Sequence, residues 1–146
     1  MYYYSYEAFE DDMRRLLPGC RAYGPDTIVA LARGGMVGAQ LLGYGLGVRN
    51  IQLLGVTSYD DDVQRGSVAI EGCCNVAAAE RILIVDDIVD SGKTLQAVKA
   101  YLKAQNPAAQ IKCAAPWYKP SAEEQPDFTC REATEWIEFF WDRFDA

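Results

Sequence analysis

The sequence predicts an α/β fold: a mainly parallel, twisted sheet with helices on both faces, plus a small C-terminal hood. Three observations predict it. Ile82-Leu83-Ile84-Val85 is apolar at every position, the mark of a strand covered on both faces. Stretches with strand and helix patterning alternate along the chain, without an internal repeat or low-complexity tract. Pro116, Pro120 and Pro126 then interrupt the chain ahead of an aromatic-rich end, Trp136 to Trp141, expected as a cap over the crevice at the sheet's end where ligands bind. At 146 residues, half of them hydrophobic, the chain suits one domain with a real core. The expected division is a core over about 20–118 and a hood over about 119–146, within a single domain spanning 1–146.

Taken in order, Ser5 is placed to cap a first helix in which Tyr6, Phe9, Met13, Leu16 and Leu17 share a face, with Pro18-Gly19 expected to end it. Thr27 to Leu31 reads as a short strand, Met36 to Leu46 as a glycine-rich helix and Ile51 to Thr57 as a second strand. The acidic stretch Tyr59-Asp60-Asp61-Asp62, running on through Arg65-Gly66, has no apolar period and reads as a mobile loop. After the central strand, Leu95, Val98 and Leu102 recur at i, i+3 and i+7, so a helix starts near Ser91 to Thr94. Ile111 to Trp117 is the last strand expected before the hood.

The chemistry gathers at the end of the central strand. Polar residues cannot stay in a doubly covered core, so Asp86 and Asp87 fall in the crevice beyond the strand's carboxyl end, where open α/β sheets bind ligands. Their side chains point to opposite sides. Asp90 follows, and Gly92 permits a tight turn. The first N–H groups of the next helix lack partners within it, and with the Ser91 and Thr94 hydroxyls they form a cradle for a phosphate monoester. A Walker A loop would need glycine five residues before Gly92, where Asp87 stands. A receiver domain is a poor match, because the acidic run comes past mid-chain and leaves too few residues for the remaining βα units. A second motif, Ala32-Arg33-Gly34-Gly35, would let backbone approach a ligand while Arg33 offers a fork of donors to phosphate oxygens. By pattern alone, that motif reads more readily as a strand-to-helix turn with a surface arginine.

Composition narrows the classes. A net charge of −7 argues against nucleic acid or an anionic membrane as partner. The start, Met1-Tyr2-Tyr3-Tyr4, lacks the basic and apolar regions of a signal peptide, and no run approaches membrane-spanning length; the cytoplasm is expected. Five cysteines without C-x-x-C spacing read as reduced packing residues. The absence of histidine removes every His-dependent triad and leaves carboxylates as the acid/base groups.

The stretch Ile82 to Thr94 resembles the phosphoribosyl pyrophosphate signature of type I phosphoribosyltransferases. Ala32 to Gly35 is similar to their pyrophosphate loop, which implies a non-proline cis peptide at Ala32-Arg33. Three further stretches resemble bacterial xanthine-guanine phosphoribosyltransferases: Ser58-Tyr59-Asp60 with Gln64-Arg65 at the flexible loop, Lys119 before Pro120, and Trp136-Ile137-Glu138 with Trp141-Asp142. By composition alone, Trp136 to Phe140 is also an alternating core strand. Two departures, Phe139-Phe140 where the family commonly has proline and Lys93 where small residues are usual, bear on the identity of the base more than on the reaction.

The resemblance implies the type I phosphoribosyltransferase fold and transfer of a 5-phosphoribosyl group from phosphoribosyl pyrophosphate to a 6-oxopurine (guanine, xanthine or hypoxanthine), with Mg²⁺, in purine salvage. It implies roles as well. Asp90 is the general base, and Asp86, Asp87, Asp90 and Ser91, Gly92, Lys93, Thr94 hold the ribose and 5′-phosphate, with Asp87 serving the metal directly or through water. Arg33, Gly34, Ser58, Tyr59 and Arg65 hold pyrophosphate. Lys119 reads the purine 6-oxo group, Trp136 stacks on the ring, and backbone near Ile137 reads the C2 substituent. Family members are commonly dimers or tetramers, so a homo-oligomer is expected. The alternatives are a non-catalytic sensor of phosphoribosyl pyrophosphate or a nucleotide, and a phosphoribosyltransferase for another base such as orotate or uracil.

Overall fold

The computed structural model describes residues 1–59 and 67–146. In chain order its elements are β1 (Tyr2–Tyr4), α1 (Tyr6–Tyr23), β2 (Thr27–Ala32), α2 (Met36–Leu46), β3 (Ile51–Tyr59), β4 (Ser67–Glu71), β5 (Arg81–Val85), β6 (Ile88–Val89), α3 (Lys93–Gln105), β7 (Gln110–Ala114), β8 (Trp117–Tyr118), β9 (Arg131–Glu132) and β10 (Ile137–Phe139), closed by a 3₁₀ turn over Phe140–Phe144. The central sheet runs β4-β3-β2-β5-β7; the β3–β4 pair is antiparallel, and β2–β3, β2–β5 and β5–β7 are parallel.

Strand alternation sorts the core into two layers. Ile28 pairs with Leu83 and Ala30 with Val85, and these side chains meet Phe9, Met13, Leu16 and Cys20 of α1 and Ala39 and Leu42 of α2. Val29, Leu31, Ile82 and Ile84 face the other way, onto Leu95, Val98 and Leu102 of α3. Helices therefore cover both faces. Each fully buried Leu or Ile contributes roughly 1.5–3 kcal/mol by leaving water, so the two layers supply most of the drive to fold. No helix among the described residues is long and apolar enough to cross a membrane.

Ser5 caps α1, its hydroxyl accepting from the Ala8 N–H at 3.1 Å. The helix does not end at Pro18-Gly19, however; it continues to Tyr23 and closes where the Gly24 N–H donates to the Cys20 carbonyl. Pro18 lies on the exposed side, where the carbonyl it leaves unbonded can take water, while Leu16 and Cys20 keep the buried face continuous. The expected strand Ile111 to Trp117 is also two strands: β7 stops at Ala114, and after Pro116 the chain joins a separate three-stranded sheet, β6-β8-β9. Trp136 to Trp141 contributes β10, which pairs in parallel with β1, an N-terminal strand the periodicity does not announce. The acidic stretch expected as a loop is flanked by the β3–β4 hairpin, and its residues 60–66, with Arg65, lie outside the described residues.

Candidate active site

Because β2, β3 and β5 are parallel, their carboxyl ends meet in one crevice. At the tip of β2 the Ala32–Arg33 peptide is cis. The loop that follows lies directly on β5: a Cβ at Gly34 would come 2.2 Å from Asp87 Oδ2, and one at Gly35 would come 2.0 Å from the Val85 carbonyl oxygen. Only glycine lets the two loops approach so closely. The last rung of β5 is the Asp86 N–H donating to the Ala114 carbonyl at 3.1 Å; beyond it Asp86 Oδ1 accepts from the Asp87 N–H and Asp87 Oδ1 from the Ile88 N–H. Burial, then repulsion from Asp87, holds the Asp86 carboxyl well above the usual range, and burial raises Asp87 too. The pair is short of positive charge, the condition a bound cation relieves.

The turn into α3 is shaped by the segment after β8. Gly92 has φ +83°, and a Cβ there would come 2.5 Å from the Glu124 nitrogen. The Glu123 N–H donates to the Ser91 carbonyl at 2.8 Å, and Lys99 of α3 holds Glu124 at 2.8 Å. The Ser91 hydroxyl accepts from the Lys93 N–H at 3.3 Å, so part of the expected phosphate cradle is satisfied internally in this state. Ser91, Lys93 and Thr94 stay half-buried at the mouth of the turn.

Across the crevice, a cavity of about 460 Å³ is walled by Asp87, Asp90, Lys119, Trp136, Ile137 and Asp142, among others. Lys119 Nζ lies 2.9 Å from Asp90 Oδ1. The Lys119 N–H donates to the Val89 carbonyl, which sets the lysine beside the β5–α3 turn. Trp136 is 75% exposed at the rim, while Ile137 is 6% exposed beneath it. A second cavity, about 590 Å³, is walled by Arg33, Gly34, Asp87, Trp141 and Asp142, so Asp87 and Asp142 stand where the two meet. Asp142 Oδ2 accepts from the Phe139 N–H at 2.9 Å, and Phe139 stacks on Trp141 with centroids 4.9 Å apart.

The structure thus brings Asp87, Asp90, Lys119, Trp136 and Ile137 around one cavity and Arg33, Gly34 and Asp87 around its neighbour. Asp86 and Ser91 to Thr94 adjoin these walls without lining them. Ser58 and Tyr59 belong to β3, which passes the Ala32–Gly55 rung by three to four residues, roughly 10 Å beyond the tip of β2. Thr134 and Glu135 line the first cavity without having been singled out, and Asp142, noted in the sequence only as part of the Trp141-Asp142 resemblance, lines it too; three residues after Phe139, it carries the spacing of a capping carboxylate. Among the described residues no group of three or more His, Cys, Asp or Glu side chains could hold a metal ion by itself. One carboxylate, Asp87, with oxygens from a phosphorylated substrate and water, is a donor set that fits Mg²⁺, which favours a few carboxylates plus substrate phosphates.

A family model described as "Phosphoribosyl transferase domain" matches residues 3–143. A xanthine-guanine phosphoribosyltransferase of Idiomarina loihiensis is 33% identical over 132 residues, 88% of this chain and 76% of that protein. One from Cereibacter sphaeroides is 31% identical over 150 aligned positions, covering 97% of this chain and 86% of that protein. A solved structure of the Helicobacter pylori xanthine-guanine-hypoxanthine phosphoribosyltransferase superposes with a TM-score of 0.87 at 33% identity, over 96% of this chain and 92% of that one.

Proposed function

The chain belongs to the phosphoribosyl transferase domain family, and from that premise we propose that it transfers the 5-phosphoribosyl group of phosphoribosyl pyrophosphate to a 6-oxopurine, releasing pyrophosphate, as a step of purine salvage. The observation that carries the choice of base is the juxtaposition of Lys119 Nζ and Asp90 Oδ1, 2.9 Å apart on the cavity wall beside Trp136. Side by side, a fixed donor and an acceptor-only group match the O6 acceptor and N7–H donor of a 6-oxopurine. The pair must open to admit the base, exchanging one ion pair for two charge-assisted hydrogen bonds. Trp136, exposed at the rim, offers its face to the purine ring.

In this reading the sugar gains positive charge as the C1–O bond loosens, and the leaving pyrophosphate gains negative charge. Bound with the donor, Mg²⁺ would neutralise that leaving group, Asp87 holding it directly or through water. Asp86 accepts from ribose hydroxyls, and the Ser91 to Thr94 turn takes the 5′-phosphate, whose binding energy orients C1. Arg33 and the Gly34 backbone serve the pyrophosphate side, a role the resemblance also gives to Ser58, Tyr59 and Arg65. Asp90 takes the N7 proton beside the developing sugar charge.

A pyrophosphate-release assay with guanine, xanthine, hypoxanthine and adenine tests the proposal. Turnover is expected with one or more 6-oxopurines, and adenine should fall on the order of 10³-fold or more in kcat/KM, because its 6-amino group meets a second donor in Lys119. Binding of all four without turnover would instead make the chain a sensor.

We further propose a homo-oligomer. Ile51 and Leu53 project from the same side of β3 and are exposed, as are Met36, Val37 and Tyr44 of α2, an apolar surface that a second copy would cover. Light scattering should return the mass of two or four chains; a monomer at micromolar concentration would refute the assembly.

A further inference from the structure

β1 takes no part in the chemistry above, yet the base-side segment hangs from it. Tyr2 pairs with Ile137, Tyr3 with Glu138 and Tyr4 with Phe139, and the Tyr2 N–H donates to the Trp136 carbonyl at 2.9 Å. That bond sets the phase of the ladder. In a parallel pair only alternate residues of each strand bond across, so Tyr2 and Tyr4 serve β10 with their backbone groups, while the N–H and C=O of Ile137 and Phe139 turn to the far edge. The Phe139 N–H confirms that edge, since it is taken there by Asp142. Ile137, next along the same edge, lines the cavity that holds Lys119, Asp90 and Trp136.

The strand that imposes this arrangement is itself pinned to the core. Tyr4 is fully buried, its hydroxyl donating to Asp12 at 2.5 Å and its ring meeting Phe9, Trp117 and Phe139 edge-on at 5.9, 5.2 and 5.7 Å. The Tyr2 hydroxyl accepts from Arg131 Nη1 at 3.1 Å, and its ring packs on Trp117 at 5.4 Å. A three-residue parallel pair has no stability of its own, so its register is set by these anchors and passed to the base-side segment.

We propose that Tyr2 is a positioning residue for base recognition: its N–H holds the Trp136 carbonyl against β1 and so turns the Ile137 backbone toward the edge of the purine that carries the C2 substituent. The inference rests on reading that cavity as the base site. Tyr2→Pro deletes the N–H together with the phenol that meets Arg131 and Trp117, whereas Tyr2→Ala deletes the same side chain and keeps the N–H. Relative to Tyr2→Ala, Tyr2→Pro should raise KM for the 6-oxopurine roughly 3- to 10-fold, the net worth of one backbone hydrogen bond, with KM for phosphoribosyl pyrophosphate and kcat nearly unchanged. Equal rises in both KM values, or none, would overturn the proposal.

Amide exchange in the unmodified full chain gives a second reading that needs no variant to fold. By linkage, occupancy of the base site by GMP should slow exchange across β1 by about 3-fold or more. Saturating GMP without protection of β1 would also overturn it. If the unmodified enzyme turns over no purine at all, the functional reading fails and takes this inference with it; if it does and Tyr2→Pro behaves like Tyr2→Ala, only the inference fails.

Discussion

Asp90→Asn lowers kcat by roughly 10²-fold or more while binding of phosphoribosyl pyrophosphate largely survives, the loss expected when a positioned base can no longer take a proton. The substitution keeps the shape of the side chain and one oxygen able to accept a hydrogen bond. What it removes is the negative charge and the basic site 2.9 Å from Lys119. Both partners of that pair are well exposed, at 42% and 67% of their side-chain surface, so the pair contributes little to folding and the melting temperature should barely move. Steady-state kinetics beside thermal unfolding therefore separates a chemical role from a structural one. Unchanged turnover with guanine, hypoxanthine and xanthine would remove Asp90 from the role of base.

The largest effect on stability is expected at Asp12, far from the chemistry. On α1 it lies three residues after Phe9 and four before Leu16, on the buried face, and it is fully buried. Its Oδ2 accepts from the Tyr4 hydroxyl at 2.5 Å and from Arg131 Nε at 2.6 Å, and Arg131 Nη2 reaches Oδ1 at 3.4 Å. Burial, then the hydrogen bond to Asp12, holds the Tyr4 phenol far above its usual range, so it remains a donor. Arg131 also stands over the rings of Tyr2, Tyr4 and Trp117 at 6.0, 5.6 and 5.7 Å.

Asp12→Ala would leave a guanidinium and a phenol in that cluster without their acceptor. Breaking a buried pair from one side costs about 3–5 kcal/mol, which for a chain of this length lowers Tm by roughly 10 °C. Urea unfolding would measure it. A loss below about 1 kcal/mol would mean that water replaces the carboxylate and that the cluster is not closed to solvent. Because Asp12 anchors β1, the variant should also weaken base binding before it unfolds, in the same direction as Tyr2→Pro.

Much of the central architecture was legible in the chain. The unbroken apolar run of β5 announced a doubly covered strand and put Asp86 and Asp87 at its tip; the α2 limits agree with the glycine-rich helix read from Met36 to Leu46. Pro18 misled, because a proline on a solvent face costs a helix less than the apolar stripe around it returns. Pro116 did end β7, but nothing local indicated that Trp117 and Tyr118 would enter another sheet. Asp12 was missed in the sequence; its place three residues after Phe9 on the apolar face is a signal of buried pairing, but one that points to no particular partner.

What the sequence determined by itself was what short-range periodicity and residue chemistry can encode: which of the longer segments are core strands or helices, which faces are apolar, and where carboxylates and glycines must leave the core. Only the tertiary structure decided the pairings. It joined Tyr2 to Ile137, set Arg131 on Asp12 across 119 positions, and closed Lys119 on Asp90. Three-residue strands and single ion pairs carry no periodic signal, and each gains its free energy only after the doubly covered sheet has brought distant segments together and excluded water.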